Sequence, residues 1–370
     1  MNSATIKLKN TADQVELIKA MVSPDDTTRN KARESFAKFI GPVIQQVLDL
    51  MGTTNLLYTP WPYNEDDLPM FPLDLYYQQP VGSVKVWTQN AAGGLGSSLE
   101  AGLQETALTT FRLDTAVSWL EKTIKRGRLP YVSLGLNRAA QELLRLEERN
   151  GWLVVLRALA EARTKSSGST YEHVIETGTS DVLQLDDFNK WLTRAKRINV
   201  AFDTTGTPDQ SYSRGATDAF LSPEMMEQIR GFVYQPMNTR QATSGTAGIA
   251  LPDNMREQIY RNAGMSEVYG IVLHEMLEFG LSQRYNTLFD TYYAGTLSFV
   301  SASQEIIVGV DRSRDALIKP IAQNADYGTE LRMEVDDQWP KRAGKLGFFG
   351  AKELGFACID ARVLSGVIVK

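Results

Sequence analysis

The stretch from Leu56 to Gly102 constrains this chain most. Five prolines (Pro60, Pro62, Pro69, Pro72 and Pro80) are interleaved there with Tyr58, Trp61, Tyr63, Phe71, Tyr76, Tyr77 and Trp87. Proline removes a backbone donor and fixes φ, so this density disfavours helix interiors and central strands and keeps the chain extended. The stretch runs into a glycine-rich tip, GGLGSS at Gly93–Ser98, and only GSVKVWTQ within it has the composition of a hairpin strand. Roughly forty residues without a core of their own are uncommon inside a compact domain, and mark function or disorder. The aromatics argue against disorder. The expectation is a projecting arm whose apolar side chains are buried on a partner, with Trp61, Phe71, Tyr76, Tyr77 and Trp87 as candidate assembly contacts.

Periodic segments flank the arm. Thr11-Ala-Asp-Gln14 has capping-box spacing ahead of VELIKAMV, which predicts a helix from Ala12 to Val22. A second amphipathic helix follows, interrupted at Gly41-Pro42 and ended by Gly52. Beyond the arm, DTAVSWLEKTIKRGR from Asp114 reads as a helix closing on Gly127. A long helix of roughly 25 residues then carries Leu143, Leu144, Leu146, Val154, Val155, Leu156 and Leu159 at helical spacing. The polar run Arg163–Thr170 ends it.

The middle of the chain mixes elements. LDDFNKWLTRAKRI reads as a helix, TDAFLSPEMMEQIRGFV as a strand leading into a helix with Pro223 in its first turn, and EVYGIVL as a strand. From Glu305 onward the pattern is β, with Leu331, Met333 and Val335 alternating against Arg332, Glu334 and Asp336, and VLSGVIVK as a terminal strand. The fold class expected is α+β.

Candidate chemistry is sparse. In IVLHEMLEFG, His274, Glu275 and Glu278 lie one substitution from the H-E-x-x-H motif, in which two histidines one helical turn apart bind zinc and the glutamate polarises its water. A zinc-dependent hydrolase built on His274/Glu275/Glu278 is therefore one reading. It requires a third ligand, and the only other histidine is His173. The β-branched and aromatic SEVYGIVLH suits a strand better than the helix the motif needs. GGLGSS lacks the Lys-Ser/Thr of a phosphate loop, and there is no nucleophile elbow, C-x-x-C pair or dinucleotide fingerprint. No catalytic residue, cofactor or metal is expected.

At 370 residues and 43% hydrophobic content the chain is long enough for two cores. Its net charge of −5 offers no basic stripe for sequence-specific nucleic-acid binding. Cys358 is the only cysteine, which excludes an intrachain disulfide and fits a reducing compartment. No apolar run is long enough for a membrane span, so a soluble protein made in the cytoplasm is expected.

The order of parts (helical arm, extended Pro/aromatic loop with a glycine tip, long helix, α/β lobe, β-rich return) resembles the major capsid proteins of tailed bacteriophages, the Hong Kong 97-type fold. The sequences RYNTLFDTYYAG, EIIVGVDRSRDALIKP and DDQWPKRAGKLGFFGAKELGFACIDARVL are similar to that family's last third, and AAQELLRLEE to its spine helix. The resemblance implies an N-terminal arm at 1–57, an extended loop at 58–112, a peripheral domain at 113–179 and 300–354, and an axial domain at 180–299 and 355–370. It also implies self-assembly into pentamers and hexamers of an icosahedral head enclosing double-stranded DNA without sequence specificity. Scaffolding, portal and decoration proteins would be partners, and the virion capsid, assembled in the host cytoplasm, the location. An encapsulin-like nanocompartment shell is the alternative within the same fold.

Overall fold

The computed structural model describes residues 11–72, 105–122, 129–166, 172–202, 215–231, 267–293, 299–313, 315–323, 330–336 and 344–370. Seven helices are described: α1 Ala12–Ala20, α2 Asp26–Met51, α3 Thr54–Leu57, α4 Leu129–Ser166, α5 Leu185–Phe202, α6 Pro223–Gly231 and α7 Arg284–Tyr293. The first seven strands are β1 Thr59–Asn64, β2 Met70–Pro72, β3 Glu105–Ala107, β4 Phe111–Leu120, β5 Val174–Glu176, β6 Asp218–Leu221 and β7 Glu267–Val268. The remainder are β8 Ile271–Glu275, β9 Glu305–Val310, β10 Leu317–Gln323, β11 Arg332–Asp336, β12 Lys345–Leu354, β13 Ala357–Cys358 and β14 Leu364–Val369. The chain is mixed α+β and divides into two compact units. One is drawn from Met1–Pro72, Glu105–Gly151 and Leu317–Ala357, the other from Leu73–Gln104, Trp152–Ala316 and Cys358–Lys370.

The first unit is organised around β12. Antiparallel β4 follows it over its whole length, from Lys345↔Leu120 to Leu354↔Phe111, and β11 pairs Gly347–Ala351. At Leu354 the ladder passes to Ile321 of β10, on which β1 lies parallel. Strand β4 corrects the helix expected from Asp114. Its residues alternate between more buried (Leu113, Thr115, Val117, Trp119) and exposed (Arg112, Asp114, Ala116, Ser118, Leu120). That period of two, continued across ten paired positions, overrides a weak helical signal.

Helix α2 also departs from expectation, because it continues through Pro42. The bond proline removes would have ended on the carbonyl of Lys38; both residues are exposed, so water can replace it. On the other face Phe36, Ala37, Ile40, Ile44 and Leu48 are buried, which offsets a cost of about 3 kcal/mol. The helix starts on Asp25, whose carboxylate accepts from Thr28 N at 3.2 Å and Thr27 N at 3.4 Å. Helix α4, at 38 residues, is longer than its apolar repeat alone indicated, and it opens with Pro130 in its first turn. Close approach explains Gly135, since a Cβ there would lie 2.8 Å from Trp119 Nε1.

The second unit holds a sheet in the order β5-β14-β9-β6-β8-β7. Strand β14, at the end of the sequence, pairs parallel with β5 and antiparallel with β9, and β6 runs parallel to β8. Phe188 and Trp191 of α5 and Met225 and Ile229 of α6 meet Ala219, Ile271, Ile307 and Val367 of the sheet in one core. The expected single strand EVYGIVL is a hairpin. Tyr269 and Gly270 both take positive φ (52° and 84°), the two-residue turn that matches strand twist.

Candidate assembly surface and a buried ion cluster

The Pro/aromatic stretch is anchored at its base by two strands that close on each other. Antiparallel β2 and β3 pair Met70↔Ala107, Phe71↔Thr106 and Pro72↔Glu105, so the chain leaves at Pro72 and returns at Glu105. Trp61 and Phe71 meet edge to face, with ring centroids 5.3 Å apart. Phe71 is buried, whereas Trp61 is 37% exposed beside Leu68 at 77% and Met70 at 40%. Trp61, Pro62, Tyr63, Leu68, Pro69 and Met70 line an open groove of about 370 Å³. Of the five expected contact residues, the structure thus brings Trp61 and Phe71 together; Tyr76, Tyr77 and Trp87 lie outside the described residues. One carboxylate ties both flanks of the base to β12. Glu353 Oε1 accepts from Tyr63 Oη at 2.9 Å and from Thr110 Oγ1 at 2.8 Å.

The His274 constellation takes a form that the zinc reading does not fit. His274 stands in strand β8, and Glu278 lies beyond the strand's end, so the one-turn helical spacing of the motif is absent. Its Nε2 is 2.8 Å from Asp218 Oδ1, and its ring stacks on Phe220 with centroids 4.8 Å apart. Asp218 also accepts from Thr217 Oγ1 at 2.7 Å and lies 3.6 Å from Arg312 Nη1. Burial pushes the Asp218 carboxyl up, but these donors outweigh it and hold it below the ordinary aspartate value. His173 is tied elsewhere, its Nδ1 2.8 Å from the Leu364 carbonyl. Among the described residues, no group of three or more His, Cys, Asp or Glu is placed to hold a metal ion.

A feature not anticipated from the sequence sits in the first unit, where α4 faces the sheet. The side chains of Glu147, Lys319 and Lys352 are only 3%, 3% and 1% exposed. Lys319 Nζ donates to Glu147 Oε1 and, at 2.9 Å, to Asn55 Oδ1. Lys352 Nζ lies 3.4 Å from Glu147 Oε2 and 3.2 Å from Glu330 Oε2, which also accepts from Gln45 Nε2 at 2.8 Å. The sequence clue is a lysine in the apolar run ALIKPIA, whose flanking residues are buried on both faces of β10. Next to Glu147, Glu148 takes hydrogen bonds from Thr53 Oγ1, Thr54 Oγ1 and Thr54 N, and Tyr58 Oη donates to the carbonyl of Gly151 at 2.7 Å. Residues of α3 and its flanks are thereby fixed to α4.

The two adjacent glutamates titrate with opposite consequences. Burial opposes the charge of Glu147, yet Lys352 and Lys319 outweigh it and hold the carboxyl below 4.5. At Glu148 burial prevails over the threonine donors, and the carboxyl is raised above 4.5. The Glu147 contribution is therefore present above 4.5 and lost as pH falls through its lowered folded value. The Glu148 penalty is present above its raised folded value and is relieved as pH falls towards 4.5. Relative to Glu148→Gln, which cannot titrate there, the wild type is expected to gain stability between neutrality and pH 4.5. Urea midpoints of the two proteins across that range check this, and a difference independent of pH would contradict it.

No protein-family model matches the chain, and no curated protein matches it. Solved structures similar to it include one from Microbacterium phage Oxtober96, at 12% identity and a TM-score of 0.47, covering 86% of this chain and 90% of that one. The holo-SrpI encapsulin complex of Synechococcus elongatus PCC 7942 is similar at 11% identity and a TM-score of 0.41, over 85% of each chain. The capsid of the cyanophage P-SCSP1u is similar at 12% identity and a TM-score of 0.46, over 84% of this chain and 85% of that one. Among the described residues, no helix is long and apolar enough to cross a membrane.

Proposed function

We propose that this chain is the major capsid protein of a tailed phage, with the Hong Kong 97-type fold, and that it assembles through itself into hexamers and pentamers of a shell around double-stranded DNA. The observation that carries this reading is the closed base of the Pro/aromatic stretch. Strands β2 and β3, which flank residues 73–104 in the sequence, pair beside a groove carrying exposed Trp61, Leu68 and Met70. A stretch that carries five prolines and seven aromatics between Leu56 and Gly102, with its flanks paired at β2 and β3, suits contact with a neighbouring copy. Identical contacts repeated from copy to copy close into rings and shells. The first unit, with the start of α4 and the β12 sheet, takes the peripheral role in this scheme, and the second takes the axial role. The role is structural rather than catalytic, and a chain of net charge −5 suits a container that does not grip its contents. Scaffolding, portal and decoration proteins are its expected partners in the host cytoplasm.

The register supplies the test. Since Pro72 and Glu105 are directly paired, residues 73–104 can be replaced by an Asn-Gly turn that closes a simple hairpin. This variant is expected to fold with the urea midpoint of the wild type and to sediment as a small species, having lost assembly. Shells formed as readily as by the wild type would contradict the role assigned to the arm.

A further inference from the structure

The groove at the base of the Pro/aromatic stretch combines aromatic rings with uncharged and acidic polar groups. Trp61 and Tyr63 stand two residues apart on β1, hence on one side of the strand and roughly 7 Å apart along it. Phe71 meets Trp61 edge to face, an arrangement that covers at most one face of the indole, and Trp61 remains 37% exposed. The Tyr63 ring is fixed at its far end, where its hydroxyl donates to Glu353. The polar groups come from the turn after β1 and from the end of β10. Asn64 Nδ2 donates to Asp67 Oδ2 at 3.3 Å, and Asp67 N donates to the Asn64 carbonyl at 2.9 Å, so the turn holds these two side chains together. The other side-chain oxygens of Asn64 and Asp67, and the exposed carboxamide of Gln323, have no hydrogen-bond partner among the described residues. No lysine or arginine is among the described residues that line the groove.

These features select a ligand chemistry. A phosphorylated or sulfated molecule would meet Asp67 with no cation to offset the repulsion. A wholly apolar molecule would cover Asn64, Asp67 and Gln323 without pairing them. A pyranose ring meets both demands, because it has an apolar C–H face to lay on an indole and a rim of neutral hydroxyls that donate to a carboxylate and exchange hydrogen bonds with carboxamides. We propose that the groove binds a neutral saccharide, with one pyranose face on Trp61 and its hydroxyls on Asp67, Asn64 and Gln323. The volume of about 370 Å³ falls within the range of small-molecule sites, roughly 300–1,000 Å³. The inference goes beyond the capsid reading and does not rest on it, since every lining residue belongs to one unit of one chain.

Saturation-transfer NMR on the full-length protein tests this, with the methyl glycosides of glucose, galactose and mannose, glucose 6-phosphate and trilysine as probes. At least one glycoside is expected to receive saturation, strongest at the C–H protons of one ring face. Its dissociation constant should be on the order of 1 mM, as suits a small polar ligand in an open groove. Trp61→Ala is expected to weaken binding roughly tenfold and Trp61→Phe to restore most of it, because a flat ring is what the sugar face requires. Asp67→Ala and Gln323→Ala, both at exposed positions, are expected to weaken binding while keeping the wild-type urea midpoint, so the test stands even if Trp61→Ala misfolds. No saturable transfer to any glycoside at 50-fold that concentration, about 50 mM, would overturn the proposal. So would glycoside binding that survives all three alanine substitutions, or glucose 6-phosphate or trilysine binding the groove in preference to every glycoside.

Discussion

Replacing Glu147 with leucine is expected to cost the first unit about 3–5 kcal/mol of folding stability, one of the two largest single-residue effects expected in this chain. The substitution removes the carboxylate that both Lys319 and Lys352 face, and both ammonium groups are almost wholly buried. Lys352 keeps Glu330 at 3.2 Å, but Lys319 keeps only neutral Asn55 and the distant face of Phe356 among its described partners. The penalty comes from stranded charge rather than from lost attraction, and this can be separated experimentally. The triple variant Glu147→Leu/Lys319→Met/Lys352→Met is expected to regain most of the loss, because a buried ion cluster and an apolar substitute of similar volume are often close in stability. Urea titration of the single and triple variants measures this; a triple variant as unstable as the single one would show that the cluster contributes by attraction.

The second large effect is expected in the other unit. Trp152 is fully buried and meets Phe220 and Phe279 edge to face, at centroid distances of 5.0 and 5.3 Å, while Tyr285 stacks on it at 5.4 Å. Trp152→Ala removes the ring around which these three converge, at an expected cost of about 3–5 kcal/mol from lost burial and the cavity left behind. Hydrogen exchange should show the loss of protection in β6, α7 and their neighbours. A cost below about 1 kcal/mol would mean that the aromatic cluster collapses around the gap.

Most element types could be read from the sequence where one period dominated. The apolar repeat of α4 and the strand-to-helix step at Pro223 appear as expected, and β11 is a strand as expected, although within it only Met333 is buried. Strand β4 was missed because Asp114 resembles a helix cap, while the deciding influence is its ten-residue ladder with β12, a partner more than 200 positions away in sequence. Pro42 has the local signature of a break, yet the buried face of α2 prevails over it. Glu147 looks like one more charge in LRLEERN, and nothing local marks that it faces inward towards Lys319 and Lys352. The composition of the arm was legible in full. Which of its aromatics turn inward was not, as the buried Phe71 and exposed Trp61 show, because that depends on the pairing of β2 with β3.

The central claim is self-assembly, and electron microscopy of the purified full-length protein beside its sedimentation profile tests it most directly. The account expects rings, tubes or closed shells of many copies, present as a fast-sedimenting fraction that grows with concentration. A homogeneous monomer or dimer that persists at high concentration, with purified scaffolding protein added, would contradict it.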